Sequence, residues 1–131
     1  MAALVTNTGI AQIIDALNGG SHTAPQHMGW GTGSTAEDPT DTDLETPSNE
    51  ARVLGTKSIV NTTVTGDTYQ VIATITSAGS QTISEAGLFD GAGSGTPPTG
   101  ANMYVHGVFT GIPLGIGDSI QFTTKIILAQ P

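Results

Sequence analysis

Among the residues able to carry chemistry, Glu85 has the least ordinary setting, in the middle of the alternating stretch TISEAGLFD at Thr82–Asp90. A carboxylate there has three roles open to it: catalytic acid, metal ligand or structural residue. Glycoside hydrolysis needs two carboxyl groups facing each other across one cleft. The neighbouring acid, Asp90, is five residues away, which in a strand puts it on the opposite face. Asp90 is better explained as a turn residue ahead of Gly91. The structural role requires partners, because a carboxylate taken out of water must accept hydrogen bonds or pair with a base. Backbone N–H groups, or the scarce bases Arg52 and Lys57, are the expected ones. Glu85 is therefore read as a structural anchor, with Gly87 letting a neighbouring strand come close. Ile83, Glu85 and Gly87 are expected on one face of this strand, and Ser84, Ala86 and Leu88 on the other.

The remaining candidates are weaker. The segment 34–50 carries Glu37, Asp38, Asp41, Asp43, Glu45 and Glu50, hard oxygen ligands of the kind calcium takes. The run DPTDTDLETPSNE lacks the turn glycine of an EF-hand loop, so a solvated acidic loop is the expectation. His22, His27 and His106 do not have the helical i, i+4 spacing of zinc enzymes, and surface or edge-strand positions are expected for them. No G-x-S-x-G elbow anchors a hydrolase triad. GAGSG at 91–95 lacks the P-loop lysine and does not lead into a helix. With no cysteine in the chain, thiol chemistry and thiolate metal sites are excluded. Neither catalytic, cofactor nor metal residues are assigned, and an enzyme is not expected.

What must position these residues is mostly β structure. The 131 residues fit one domain, 1–131, large enough to bury a core without disulfides. Gly and Thr are abundant, favouring turns and strands. Within the domain, 1–20 reads as an N-terminal arm and helix, and 34–50 as a long acidic loop. The helix is marked by Ile10, Ile13, Ile14 and Leu17 at helical spacing, with Asn7 or Thr8 as N-cap and Gly19-Gly20 as its stop. So short a helix must pack its apolar face on something larger. A hairpin follows, with a strand ending near Val64, a turn at Thr65–Thr68 and a strand from Tyr69 to Ile75. Ile120, Phe122, Thr124, Ile126 and Leu128 share one face of a final long strand. The fold class expected is an antiparallel β-sandwich or jelly-roll-like barrel with a short N-terminal helix.

Charge narrows the partners. Eleven acids stand against three bases, for a net charge of −8, so a phosphate backbone would be repelled and nucleic-acid binding is not expected. No apolar run is long enough to span a bilayer, and the N-terminus lacks the basic region of a secretory signal, so synthesis in the cytoplasm is the expectation.

The order of the pieces resembles that of small structural proteins of tailed bacteriophages: LVTNTGIAQIIDAL, then GWGTG, the polar loop DPTDTDLETPSNEAR, ISEAGLFD, and a closing GIPLGIGDSIQFTTKIIL. SEAGLFD at 84–90 and GDSIQFTTKI at 117–126 are its most specific parts. The resemblance implies a non-enzymatic virion protein, either a capsid decoration (cement) protein or a tail-fibre or baseplate component. A decoration protein would bind the major capsid protein on the outer shell and stabilise it, as a homo-oligomer, a trimer being one closed form open to it. Residues 1–8 and 34–50 are then expected to reach neighbours, with Leu4, Val5, Asp38, Asp41, Asp43 and Glu45 as candidate contacts. From another class, a carbohydrate-binding module would need several of Trp30, Tyr69, Tyr104, Phe89, Phe109 and Phe122 at the surface.

Overall fold

The structure, a computed structural model, describes residues 2–129. In chain order the elements are β1 (Ala2–Val5), α1 (Asn7–Leu17), β2 (His27–Gly31), β3 (Val53–Leu54), β4 (Thr56–Val60), β5 (Thr68–Thr76), β6 (Gln81–Phe89), β7 (Met103–Leu114) and β8 (Ser119–Ile127). They form two antiparallel sheets, one in the order β1-β7-β6-β2-β3 and one in the order β4-β5-β8. The protein is mainly β, a sandwich with one short helix near its N-terminus.

Period-two alternation decides what lies between the sheets. On β5, Val71, Ala73 and Ile75 are buried while Thr74 and Thr76 face solvent. On β8, Phe122 is buried and Ile120 and Ile126 half-buried, with Gln121, Thr123 and Lys125 exposed. These meet Met28, Trp30, Ile83 and Leu88 in the main core. Trp30 and Phe122 pack edge to face with centroids 6.4 Å apart, a favoured aromatic geometry. A second, smaller core of Leu44, Phe89 and Met103 lies on the other face of the five-stranded sheet, under the loop 32–50.

Several local expectations are corrected. The helix is capped by Thr6, not by Asn7 or Thr8: Thr6 is extended and its Oγ1 accepts the Gly9 N–H at 3.0 Å. The same hydroxyl donates to the Met103 carbonyl at 2.6 Å, so one side chain both starts the helix and ties it to β7. Gly9 is buried there, and a Cβ on it would stand 2.7 Å from the Tyr104 carbonyl oxygen. Docking through this first turn leaves the apolar stripe outside. Ile13 packs on the main core, but Ile10, Ile14 and Leu17 are 51%, 59% and 80% exposed.

The β4–β5 connection is also longer than a tight turn. β4 ends at Val60, and the Asp67 carboxylate gathers the N–H groups of Thr62, Thr63 and Val64 at 2.8–3.0 Å. Those bonds hold the Asp67 carboxyl far below the usual carboxylate range. On β6, an irregularity between Ile83 and Glu85 breaks the expected alternation. Ile83 joins the main core, while Ser84 and Glu85 both reach Gly33 of the loop on the opposite face. The pairs on either side, Ile83 with Ile112 and Glu85 with Val108, are two residues apart on β6 and four on β7, so the extra residues of the bulge lie on β7 and the alternation of β6 slips at Ser84.

Candidate functional site

The bulge aims Glu85 away from the main core, into the space between β6 and the loop 32–50, where it is fully buried. His106 reaches the same space from β7, in register with Gly87, two residues along β6 from Glu85. The loop supplies Asp41. His106 Nε2 lies 2.9 Å from Glu85 Oε1, and its Nδ1 lies 2.7 Å from Asp41 Oδ2. Carboxylates only accept, so an imidazole held between two of them donates from both nitrogens and is an imidazolium. Burial alone would lower the His106 pKa, but hydrogen bonds and charge from Glu85 and Asp41 outweigh it and raise the group above its ordinary 6.5.

Glu85 has partners at every acceptor position. Besides His106, its Oε1 accepts from the Glu45 N–H at 2.9 Å. Its Oε2 accepts from the N–H groups of Gly33 at 3.0 Å and Thr46 at 2.8 Å. Burial pushes the Glu85 carboxyl up, yet these bonds prevail and hold it below its ordinary value. The backbone bonds are those expected of a structural anchor; the base is His106, in place of Arg52 or Lys57. The histidine expectation is corrected with it, since His106 is 2% exposed on an interior strand of the sheet.

Two of the three glycines of GWGTG now have a cause. A Cβ at Gly33 would collide with the Glu85 carboxylate, and one at Gly31 would stand 2.8 Å from Glu85 Oε2 and collide with the Thr46 carbonyl. Gly87 is required as well, but side chains rather than a neighbouring strand fill its space: a Cβ would meet Phe89 at 2.9 Å, Met103 at 3.0 Å and Leu44 at 3.2 Å.

The other loop acids are occupied in turn. Asp43 Oδ1 lies 3.3 Å from Arg52 Nη2, and Asp43 Oδ2 accepts the Gly100 N–H at 3.2 Å. Arg52 stacks 3.5 Å above the Phe89 ring centroid and donates from Nη1 to the Gly91 and Gly100 carbonyls. Glu45 accepts from the Thr35 N–H and hydroxyl, each at 2.8 Å. Asp38 accepts from the Thr40 N–H and hydroxyl, and alone among the four candidate loop acids it stays in a purely local, exposed turn. Asp38, Asp41, Asp43 and Glu45 thus point to four different places, and among the described residues no cluster of three or more ligating side chains is arranged for a metal ion.

At the N-terminus, Leu4 and Val5 belong to β1, in register with His106 and Val105. Both are half-buried, and Val5 packs on the main core. The segment expected to reach a neighbour is an edge strand and a helix start; Met1 lies outside the described residues. Asp90 clamps a turn as expected, accepting from the Asn102 N–H and side-chain amide at 2.8 Å.

The Asp41–His106 pair, 65 residues apart, has no local signal in the sequence. Yet His106 interrupts an apolar strand as Glu85 does. Two polar residues on two strands that pair with each other were the available hint. Comparisons with family models, curated proteins and solved structures return no match to the chain.

Proposed function

We propose that the protein is a non-enzymatic structural protein of a tailed-bacteriophage virion, a decoration protein that binds the major capsid protein on the outer shell. The observation that carries this reading is where the side chains are spent. The polar groups that could do chemistry are consumed in holding a loop to a sheet, while large apolar side chains on α1 are left at the surface. Exposed apolar surface of that kind serves contact with another macromolecule. The resemblance of its motifs to those of phage structural proteins suggests the setting, and a location on the capsid surface with synthesis in the host cytoplasm goes with it. Binding the assembled shell and not its free subunits would stabilise the shell by mass action.

Contact through α1 replaces contact through the acidic loop in this picture, because Asp41, Asp43 and Glu45 are already bonded within the chain. A sugar-binding role is poorly supplied with aromatics: Trp30, Phe89, Tyr104 and Phe122 are buried, and Tyr69 and Phe109 are half-buried. The test is the copy number of this protein in purified particles, by quantitative gel against the major shell protein. Abundance comparable to the shell subunit is expected. A far scarcer band moves the protein to a tail-fibre or baseplate position, and its absence from particles overturns the virion reading.

A further inference from the structure

The two sheets are unequal in width, and the difference falls on one side. β5 packs over β2 and β3, so β8 lies toward β6, and β7 and β1 extend past the edge of the three-stranded sheet. A groove of about 610 Å³ runs along this step. Ala3, Leu88, Val105 and Phe109 form its floor, and Phe122 and Thr124 of β8 form its wall.

The wall is an open strand edge. Among the described residues β8 pairs only with β5, over nine residues in unbroken register. At one end the Asp118 carbonyl accepts from Ser77, and at the other the Leu128 N–H donates to Asp67. Both are even-numbered residues, so the antiparallel ladder turns the even residues of β8 toward β5. The main-chain N–H and C=O groups of Gln121, Thr123 and Lys125 therefore point outward, over the groove. Natural edges are blunted by proline, bulges or charged side chains, lysine above all. β8 has no proline and no bulge, and in a chain with eleven acids its sole charge is the basic Lys125.

The geometry points to β8 and its groove as a docking site for an extended strand of a partner protein. That strand has apolar residues at alternate positions to cover the floor and a carboxylate placed against Lys125. A fourth strand there pairs with the outward main-chain groups and packs on Ala3, Phe109 and Ile112, the apolar lining that the two sheets leave exposed or half-buried, as in strand addition generally. A small apolar ligand would leave the main-chain groups of β8 without partners. A second copy pairing β8 to β8 would drive its own overhanging β7 and β1 into the space these strands already fill, and would oppose two chains of net charge −8. This inference stands independently of the virion reading.

The probe is a fluorescein-labelled heptapeptide, Asp-Val-Thr-Val-Thr-Val-Thr, titrated with the full chain and followed by fluorescence anisotropy. Saturable binding is expected. Thr123→Pro removes one outward N–H while sparing the ladder to β5, and should weaken binding about tenfold or more. Lys125→Glu, at an exposed position that leaves folding intact, should weaken it too, and more so at low salt. Absence of saturable binding, or equal affinity in both variants and the wild type, overturns the proposal. A dimer of the chain alone that Thr123→Pro dissolves also overturns it, assigning the edge to a second copy.

Discussion

Glu85 shows how a single carboxylate can be essential without touching any substrate. Its two oxygens receive an imidazolium and three backbone N–H groups, and those donors come from β7 and from both ends of a long loop. Glu85→Gln keeps the shape but sets an amide N–H₂ against donors that already point inward. Removing one partner of a buried charged pair costs about 3–5 kcal/mol, and a loss near the lower end is expected in urea unfolding with an unchanged slope. A loss below about 0.5 kcal/mol, the range of an ordinary surface change, would contradict the assignment.

The pair also sets a pH dependence. His106 is raised in the folded state, so its contribution is complete below its ordinary 6.5 and is lost as pH rises through the raised value. Glu85 is depressed, so its contribution is complete above its ordinary 4.5 and is lost as pH falls through the lowered value. The stability difference between wild type and His106→Asn should therefore be largest between pH 4.5 and 6.5 and shrink on the alkaline side. A difference that grows above neutral pH would mean that the imidazole is neutral in the fold.

At the scale of elements, α1 is fastened by its first turn and by little else. Gly9→Ala would place a methyl group 2.7 Å from the Tyr104 carbonyl oxygen, and overpacking of this kind costs about 1–3 kcal/mol. Ile14→Ala, at a side chain 59% exposed, should stay within about 0.5 kcal/mol. Paired unfolding curves check both, and the reverse order would mean that the helix is held by its apolar stripe.

This helix also shows what the sequence can and cannot tell. Its existence and its stop at Gly19 follow from spacing and from a glycine at φ 92°, which are local properties. Which face it presents was decided by Gly9 meeting Tyr104, a contact across the fold that no periodicity encodes. The same division holds for β6. Its strand character, and the need of Glu85 for hydrogen-bond partners, were legible in TISEAGLFD. The slip at Ser84 was not, because it is set by extra residues on the distant partner strand β7. The alternating faces of β5 and β8 needed only the chain itself, since each has one side to bury and one to leave wet.

For the molecule as a whole, the loop 32–50 is a third layer and not an arm. Leu44 gives it a small apolar footing on Phe89 and Met103, and the acids that would make it self-repelling are each neutralised or hydrogen-bonded in place. Trp30 Nε1 donates to Glu50 at 2.9 Å, fixing the far end of the loop to the sandwich core. Nineteen residues without a helix or strand of their own usually signal mobility. Here the ordering rests on a central claim, that Glu85 and His106 bind the layer to the sheet as one unit. Amide hydrogen exchange tests it most directly, at the N–H groups of Gly33, Glu45 and Thr46 that donate to Glu85. The account predicts protection at these three approaching that of the β6 amides, lost together in Glu85→Gln; exchange at the rate of an open loop in the wild type would contradict it.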